Sequence, residues 1–362
     1  MEFPNIFKGD YRLLAVPPLL LLILAFFFIP QIKLGVDFKG GILVSLNLDE
    51  KIDAATLKER LEAAGLSADT RVFDTPVGYK AEIELPQSEA ILKAEKLKKE
   101  FERLLPEVTA LEIESQNDEN KRAEYERKMT EAWGVADQMF AIAGVKHTKD
   151  EIKSVNEVDR LFTAAYKKVY TDYQDSIITI IKRNVKYSSI SIQTVSPALS
   201  NHFIDTAINV AIASAILSAL FVFIFFRAAA PSAAVIIGAA CDVIIALGAM
   251  GLFGIPLTLP SFAALLMLVG FSLDTDILLT MRMLKRAGDP REKAHDAMKT
   301  GLTMSVMAIV AFATLFVLAY LTHLTTYYEI SSVALAGLFG DMFATWGINA
   351  VLLLMYIEKK GG

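Results

Sequence analysis

Four aspartates fall inside long apolar stretches, and they are the residues of this sequence best placed to do chemistry. Asp242 stands in GAACDVIIALG, Asp274 and Asp276 in GFSLDTDILLTMR, and Asp341 in GLFGDMFATW. An ionisable side chain in the hydrocarbon core of a bilayer costs roughly 2.5–3.5 kcal/mol on insertion scales, so such residues are generally paired or functional. The chemistry that suits them is reversible proton binding. A carboxyl group withdrawn from water holds its proton more firmly, and one that meets two sides alternately can load on one and unload on the other. A proton crossing the membrane supplies about 2.3 kcal/mol per 100 mV, so a few such steps suffice to move a large domain. The bland alternative is that these acids bind one another or backbone donors as structural glue.

Cations that could answer these acids are few. Arg282 closes the stretch that holds Asp274 and Asp276, and Lys299 opens the next apolar stretch; His323 lies toward the opposite end, too far away. Asp274 and Asp276 are two residues apart, which on a helix of 3.6 residues per turn separates them by about 200°. At most one of them then faces the centre of a helix bundle. Asp274 is the expected one, with Asp276 capping the helix or pairing with Arg282 near the inner interface. Asp205 reads as a surface acid.

The elements that must hold these residues are legible as six apolar blocks. The chain has 362 residues, 54% of them hydrophobic. A bilayer core about 30 Å thick calls for roughly 20 apolar residues per helix, and the blocks approach or exceed that length. The expected plan is an N-terminal tail at 1–11 and spans at 12–30, 204–226, 229–253, 257–281, 302–321 and 330–357. A cytoplasmic loop is expected at 282–301 and a tail at 358–362. The first block follows Lys8 and Arg12, as in a signal peptide, but it is long, contains Pro17 and Pro18 and runs into PQIKLGVDF without a small-residue cleavage site. It is expected to remain as a span. Ala207, Ala211, Ala215 and Ala219 recur every four residues in the second span, a stripe that allows close helix approach but identifies no function.

Basic residues set the expected orientation. Arg282, Lys285, Arg286, Arg291, Lys293 and Lys299 lie between the fourth and fifth spans, Arg227 between the second and third, and Lys359 and Lys360 after the sixth. The opposite connections, around Gly254-Ile255-Pro256 and from His323 to Glu329, hold no Lys or Arg. Both termini are therefore expected in the cytoplasm of a cell-membrane protein, and residues 31–203 outside.

That outer segment changes period. Ile42–Leu48 is strand-like, Ile52–Ala64 helical, Thr70–Phe73 and Ala81–Leu85 strand-like, Glu89–Leu105 helical and Val108–Glu114 strand-like. The order βαββαβ is the ferredoxin-like pattern. Charged helical sequence then fills about 115–185, expected as an insertion of two helices broken near Gly144–Thr148, before a strand at Lys186–Val195. The expected fold class is thus an α-helical membrane bundle of six spans with an α+β ferredoxin-like external domain carrying a helical insertion. The insertion reads as a solvated spacer, or alternatively as a docking arm.

Several functions are disfavoured. A formal net charge of −5 with no sustained basic patch argues against a nucleic-acid partner. Neither a P-loop nor a Gly-x-Ser-x-Gly elbow nor a His/Cys cluster is present, so no enzyme activity, metal or cofactor is expected. Cys241 stands alone, so no intrachain disulfide forms.

Three landmarks give the chain a family resemblance. Gly35-Val-Asp-Phe-Lys-Gly-Gly41 after the first span, Val195-Ser-Pro-Ala before the second and Gly270-Phe-Ser-Leu-Asp-Thr-Asp276 followed by Arg282 resemble segments of the SecF family. SecF is the smaller member of the SecD/SecF export pair in the RND superfamily. The resemblance implies an accessory subunit of the Sec translocon that uses the proton gradient to help draw secreted chains outward. Its implied partners are SecD, the translocon channel, the unfolded secreted polypeptide and the lipid bilayer. Asp242 falls where the family carries its span-three acid, and Asp274 takes the place of the family's Asn. Lys299 replaces the usual Arg, and Asp341 replaces an uncharged residue; with the long insertion, these departures look archaeal. Gly35, Asp37, Gly40 and Gly41 are the signature positions, read here as a glycine-permitted turn opening the first strand, with Asp37 bonding within it. The alternatives are one half of an RND-type exporter of small molecules or lipids, and a non-transporting translocon scaffold.

Overall fold

The computed structural model describes residues 4–75, 78–116, 118–148, 154–285, 288–322 and 324–361; Arg286 and His323 lie outside them. The described chain forms two compact units. One holds the residues up to Lys39 and from Asn201 onward, and the other holds most of the residues between.

The second unit is built on a four-stranded sheet. Strands β1 (Gly41–Leu48), β2 (Asp69–Thr75), β3 (Gly78–Leu85) and β4 (Tyr187–Val195) lie in the spatial order β2-β3-β1-β4. β1 is central and antiparallel to both neighbours, with Val44 opposite Ile83 on one side and Ile192 on the other. Alternation along β1 sends Ile42, Val44, Leu46 and Leu48 into one core with Ala81, Ile83 and Leu85. Leu57 and Leu61 of α3 (Ala54–Ala63) and Ile177 and Ile181 of α6 (Val155–Asn184) cover that face.

A second core lies among α4 (Glu89–Ser115), α5 (Glu119–Ala143) and α6. Ser88 and Ser154 cap α4 and α6, accepting from Ile91 N–H and Glu157 N–H. Phe101 and Phe162 stack at 4.1 Å between ring centres. The buried Glu95 accepts from both Tyr166 and Tyr170 hydroxyls at 2.6 Å. α6 contributes its first half to this core and its second half to the sheet's core, so one helix joins the two. The strand expected at Val108–Glu114 is instead the last part of α4. Its residues Val108 and Leu111 continue the buried face of Phe101 and Leu104 at helical spacing, and packing against neighbouring helices outweighs the local strand-like composition.

Among the described residues, six helices are long and apolar enough to cross a membrane. The first is α1 (Val16–Phe28), extended at both ends by short 3₁₀ turns. A short helix α2 (Val36–Lys39) follows it. The others are α7 (Pro197–Phe226), α8 (Ala229–Phe253), α9 (Leu259–Lys285), α10 (Pro290–Thr322) and the pair α11 (Thr325–Ala344) and α12 (Ala350–Gly361). In the last pair a single π-helical turn, Thr345–Asn349, joins the two helices without a break. The segment 282–301, expected as a loop, is helical over most of its described length. Asp289 accepts from Glu292 N–H at 3.3 Å and starts α10 well before its apolar part.

α8 and the α11–α12 pair are the centre of the bundle: 56% and 67% of their apolar windows are buried, against 6% for α7. Gly248 and Gly251 of α8 bring α1 close, since a Cβ on either would strike the backbone of Ala25 or Phe28.

Candidate functional site

Three of the four span acids meet at the centre of this bundle. Asp242 of α8 is 0% exposed, Asp276 of α9 0% and Asp341 of α11 1%. Their carboxyl groups are close enough to act on one another electrostatically. Gly238 on α8 makes room for this approach: a Cβ there would lie 2.5 Å from Asp276 Oδ2.

Hydroxyls and one amide surround the acids. Ser272 of α9 donates to Asp242 Oδ2. Asp276 Oδ1 accepts from Asn349 Nδ2 at 2.7 Å and from Thr345 Oγ1 at 3.0 Å. Asp341 Oδ1 lies 2.9 Å from the same Thr345 hydroxyl and 3.0 Å from Thr275 Oγ1, and its Oδ2 lies 3.4 Å from Ser305 Oγ of α10. Thr345 and Asn349 are the two ends of the π-helical turn. Both ends reach the one carboxylate oxygen of α9. Wide turns of this kind recur at functional sites in helices.

Hydrogen supply is short in this cluster. A threonine hydroxyl carries one hydrogen, yet Thr345 Oγ1 faces Asp276 Oδ1 and Asp341 Oδ1, and Thr275 Oγ1 faces Asp341 Oδ1 and the Ser272 carbonyl. Two hydroxyl hydrogens thus meet four acceptor contacts. In addition, Asp242 Oδ1 and Asp276 Oδ2 have no hydrogen-bond partner among the described residues. A carboxyl proton placed in the cluster would supply the missing donor. Among the described residues no group of His, Cys, Asp and Glu is arranged to hold a metal ion.

The expected choice between the paired acids is reversed. Asp274 is exposed on the far side of α9, and Asp276 is the buried one. The two do point apart, as helical spacing requires, but the rotation of α9 puts Thr275 and Asp276 inward. Nor do the expected cations reach the cluster. Arg282 lies six residues beyond Asp276, about 9 Å along the helix, and its Nη1 donates to the Asp296 carbonyl at 2.7 Å, tying α9 to α10. Lys299 is exposed. Among the described residues no ion pair joins Arg282 or Lys299 to a span acid. Asp341, in contrast, sits inside the cluster.

Sequence reading missed Ser272, Thr275, Ser305, Thr345 and Asn349, although a signal existed. Ser272 lies four residues before Asp276, and Thr345 four after Asp341, the spacing that brings side chains to one helix face. A further buried acid, Glu329 at the start of α11, was also missed; it accepts from Thr258 Oγ1.

Gly35 and Asp37 lie elsewhere, at the end of the bundle where α9 begins. Gly35 N–H donates to the Leu257 carbonyl at 2.7 Å, and Leu257 N–H to the Lys33 carbonyl at 2.8 Å. Asp37 does more than serve its own turn: its Oδ2 accepts from Leu259 N–H at 3.0 Å, 222 residues away. Gly40 and Gly41 have φ of 71° and 137°, a region that favours glycine, and a Cβ on Gly41 would lie 2.5 Å from the Leu85 carbonyl oxygen.

Residues 176–359 match the family described as protein export membrane protein SecD/SecF, C-terminal. The protein-export membrane protein SecF of Methanothermobacter thermautotrophicus is 49% identical over 142 residues, which are 38% of this chain and 50% of that one. SecF of Methanocaldococcus jannaschii is 33% identical over 223 residues, 58% of this chain and 79% of that one. This chain therefore spans about half the length of the former relative and more of the latter. In three dimensions it resembles SecDF, a translocon-associated membrane protein from Thermus thermophilus, with a TM-score of 0.61 at 17% identity, over 98% of this chain and 38% of that one. That likeness concerns the fold. The family match covers just over half of the residues, including five of the six described apolar helices and the three clustered acids, and places this multi-pass membrane protein in the SecF family of protein-export membrane proteins.

Proposed function

We propose that this chain is an accessory subunit of the Sec translocon that draws on a proton gradient to help move unfolded secreted polypeptides across the membrane, together with a SecD partner. The single observation that carries the proton role is the buried cluster of Asp242, Asp276 and Asp341, where two hydroxyl hydrogens face four acceptor contacts. A proton on Asp276 or Asp341 completes the network, and its departure leaves a carboxylate that only a rearranged network can satisfy. Loading and unloading thus favour different arrangements of α9 and α11. The names of the curated relatives support the export role.

In this reading the basic residues at 282–299 and 359–360 face the cytoplasm, as do both termini, and the unit between the first and second spans faces outward. The strand order β2-β3-β1-β4, with helices on one face, supports a ferredoxin-like description of that unit. α5 and the first half of α6, within about 115–185, are then its insertion, and the six spans are one RND-type half.

The test is export into sealed vesicles with and without a pH gradient. Asp242→Asn and Asp276→Asn are expected to lose the gradient-dependent part of export, while Asp274→Asn keeps it. Full gradient dependence in the first two variants would sink the proton role and leave a scaffold.

A further inference from the structure

The signature turn does something at the bundle end that its glycine content alone does not explain. The backbone at Lys33–Gly35 pairs with Leu257 as a short parallel bridge. Asp37 accepts from Leu259 N–H, one of the amides that a helix start leaves without an intrahelical partner. Asp37 therefore caps α9 from another part of the chain. Thr258, just before α9, exchanges hydrogen bonds with Ser261 through N–H and hydroxyl and donates its hydroxyl to Glu329 of α11. Phe38 stacks edge-on against Phe262 at 6.4 Å, and Val36, Asp37 and Phe38 are all buried. The fit is tight: a Cβ on Gly35 would lie 2.5 Å from Thr258 Cγ2.

α9 and α11 are also the helices that carry Asp276 and Asp341. Further along the same helices, Ala264, Leu265 and Leu268 of α9 pack with Val333 and Leu338 of α11. A Cβ on Gly337 would strike Leu268. Apolar packing of this density transmits displacement rather than absorbing it. The relative height of the two acids is thus set partly at the far end of their helices.

We propose that Asp37, with Thr258 and Glu329, forms a positioning lock that fixes the start of α9 against α11 and so sets the geometry in which Asp276 and Asp341 share the Thr345 hydroxyl. Asp37 touches no reacting group; it acts through α9, about 25 Å of helix from Asp276. Two residues after Lys39 the same segment enters β1 at Gly41. The proposal rests on the proton-coupling reading given above.

The experiment uses the full-length protein with two readouts: hydrogen exchange of the Leu259 amide, and export in sealed vesicles with and without a pH gradient. Loss of a capping side chain in Asp37→Ala should speed Leu259 exchange about fivefold, the usual effect of removing a cap. It should lower gradient-dependent export by a similar factor and leave gradient-independent export unchanged. Asp37→Asn keeps an acceptor oxygen and should restore both readouts. Gly35→Ala, which wedges the turn away from Thr258, should reproduce the Asp37→Ala export defect. Unchanged Leu259 exchange in Asp37→Ala would overturn the lock, as would faster exchange with wild-type gradient dependence. Asp276→Asn in the same vesicles tells this failure from failure of the proton role, because only the latter leaves that variant fully gradient-dependent.

Discussion

Thr345→Val removes one oxygen and keeps the shape of the side chain, at the only described atom that bonds both Asp276 and Asp341. The stability cost follows from what each acid keeps. Asp276 Oδ1 retains Asn349 at 2.7 Å, and Asp341 Oδ1 retains Thr275 at 3.0 Å, so neither oxygen loses every donor. Interhelical hydrogen bonds within membranes average about 0.6 kcal/mol and reach about 1.7 kcal/mol. The variant should therefore unfold in detergent with a loss of about 1 kcal/mol, small enough for a folded and inserted protein. The functional loss should be larger. Without the hydroxyl, no described side chain bridges the two carboxyl groups, and a proton on one no longer organises the other. One proton moving through 100 mV carries about 2.3 kcal/mol, equivalent to a bias of roughly 50-fold at about 1.4 kcal/mol per tenfold. Gradient-dependent export in sealed vesicles should fall by a large part of that factor. Thr345→Ser, which restores the hydroxyl, should recover most of it. Equal gradient dependence in Thr345→Val and Thr345→Ser would refute the idea that this hydroxyl couples the acids.

Two further outcomes follow from packing and titration. Gly251→Ala places a Cβ against the Phe28 carbonyl, and overpacking of this kind typically costs about 1–3 kcal/mol; thermal unfolding in detergent should show it, while Gly270→Ala, with no atom within 4 Å of its added carbon, should not. In the three-helix core, burial and then the Glu112 carboxylate push the Tyr125 phenol up to about 12, and burial raises Tyr166 and Tyr170 as well. A group whose value rises on folding lends stability that is complete below its unfolded value, near 10 for tyrosine. That stability is lost as pH climbs through the folded value. Helical circular dichroism followed with tyrosinate absorbance should show a loss between about pH 10 and 12 that is smaller in Tyr125→Phe; an unchanged profile in that variant would exclude Tyr125 as a contributor.

Much of the architecture could be read locally. The strand-like composition of Ile42–Leu48 marked β1, and the runs at Thr70–Phe73 and Ala81–Leu85 fall within β2 and β3. The same local reading failed at Val108–Glu114, because strand-like composition says nothing of the helices α5 and α6 that bury the face continued from Phe101 and Leu104. The connection expected at 282–301 is helical over most of its described length, and charged residues suit such a helix. For the span acids, sequence placed four carboxyl groups within apolar stretches but left their rotation open. A soluble helix shows its inward face by its apolar stripe. The inward face of α9 around Asp276 carries Ser272, Thr275 and Thr280, so no apolar stripe marks it, and only contacts with α8 and α11 select Asp276.

The amino-acid order by itself determined that this protein crosses a membrane repeatedly, that carboxyl groups lie within its apolar helices, and that a polar unit interrupts them after the first. These are consequences of length, hydropathy and period, which neighbouring residues fix between them. Tertiary structure decided which acids meet, that Thr345 and Asn349 reach one oxygen through a π-helical turn, and that Asp37 caps a helix 222 residues away. Each of those depends on helix rotation and long-range approach, which close packing sets and no local stretch of sequence encodes.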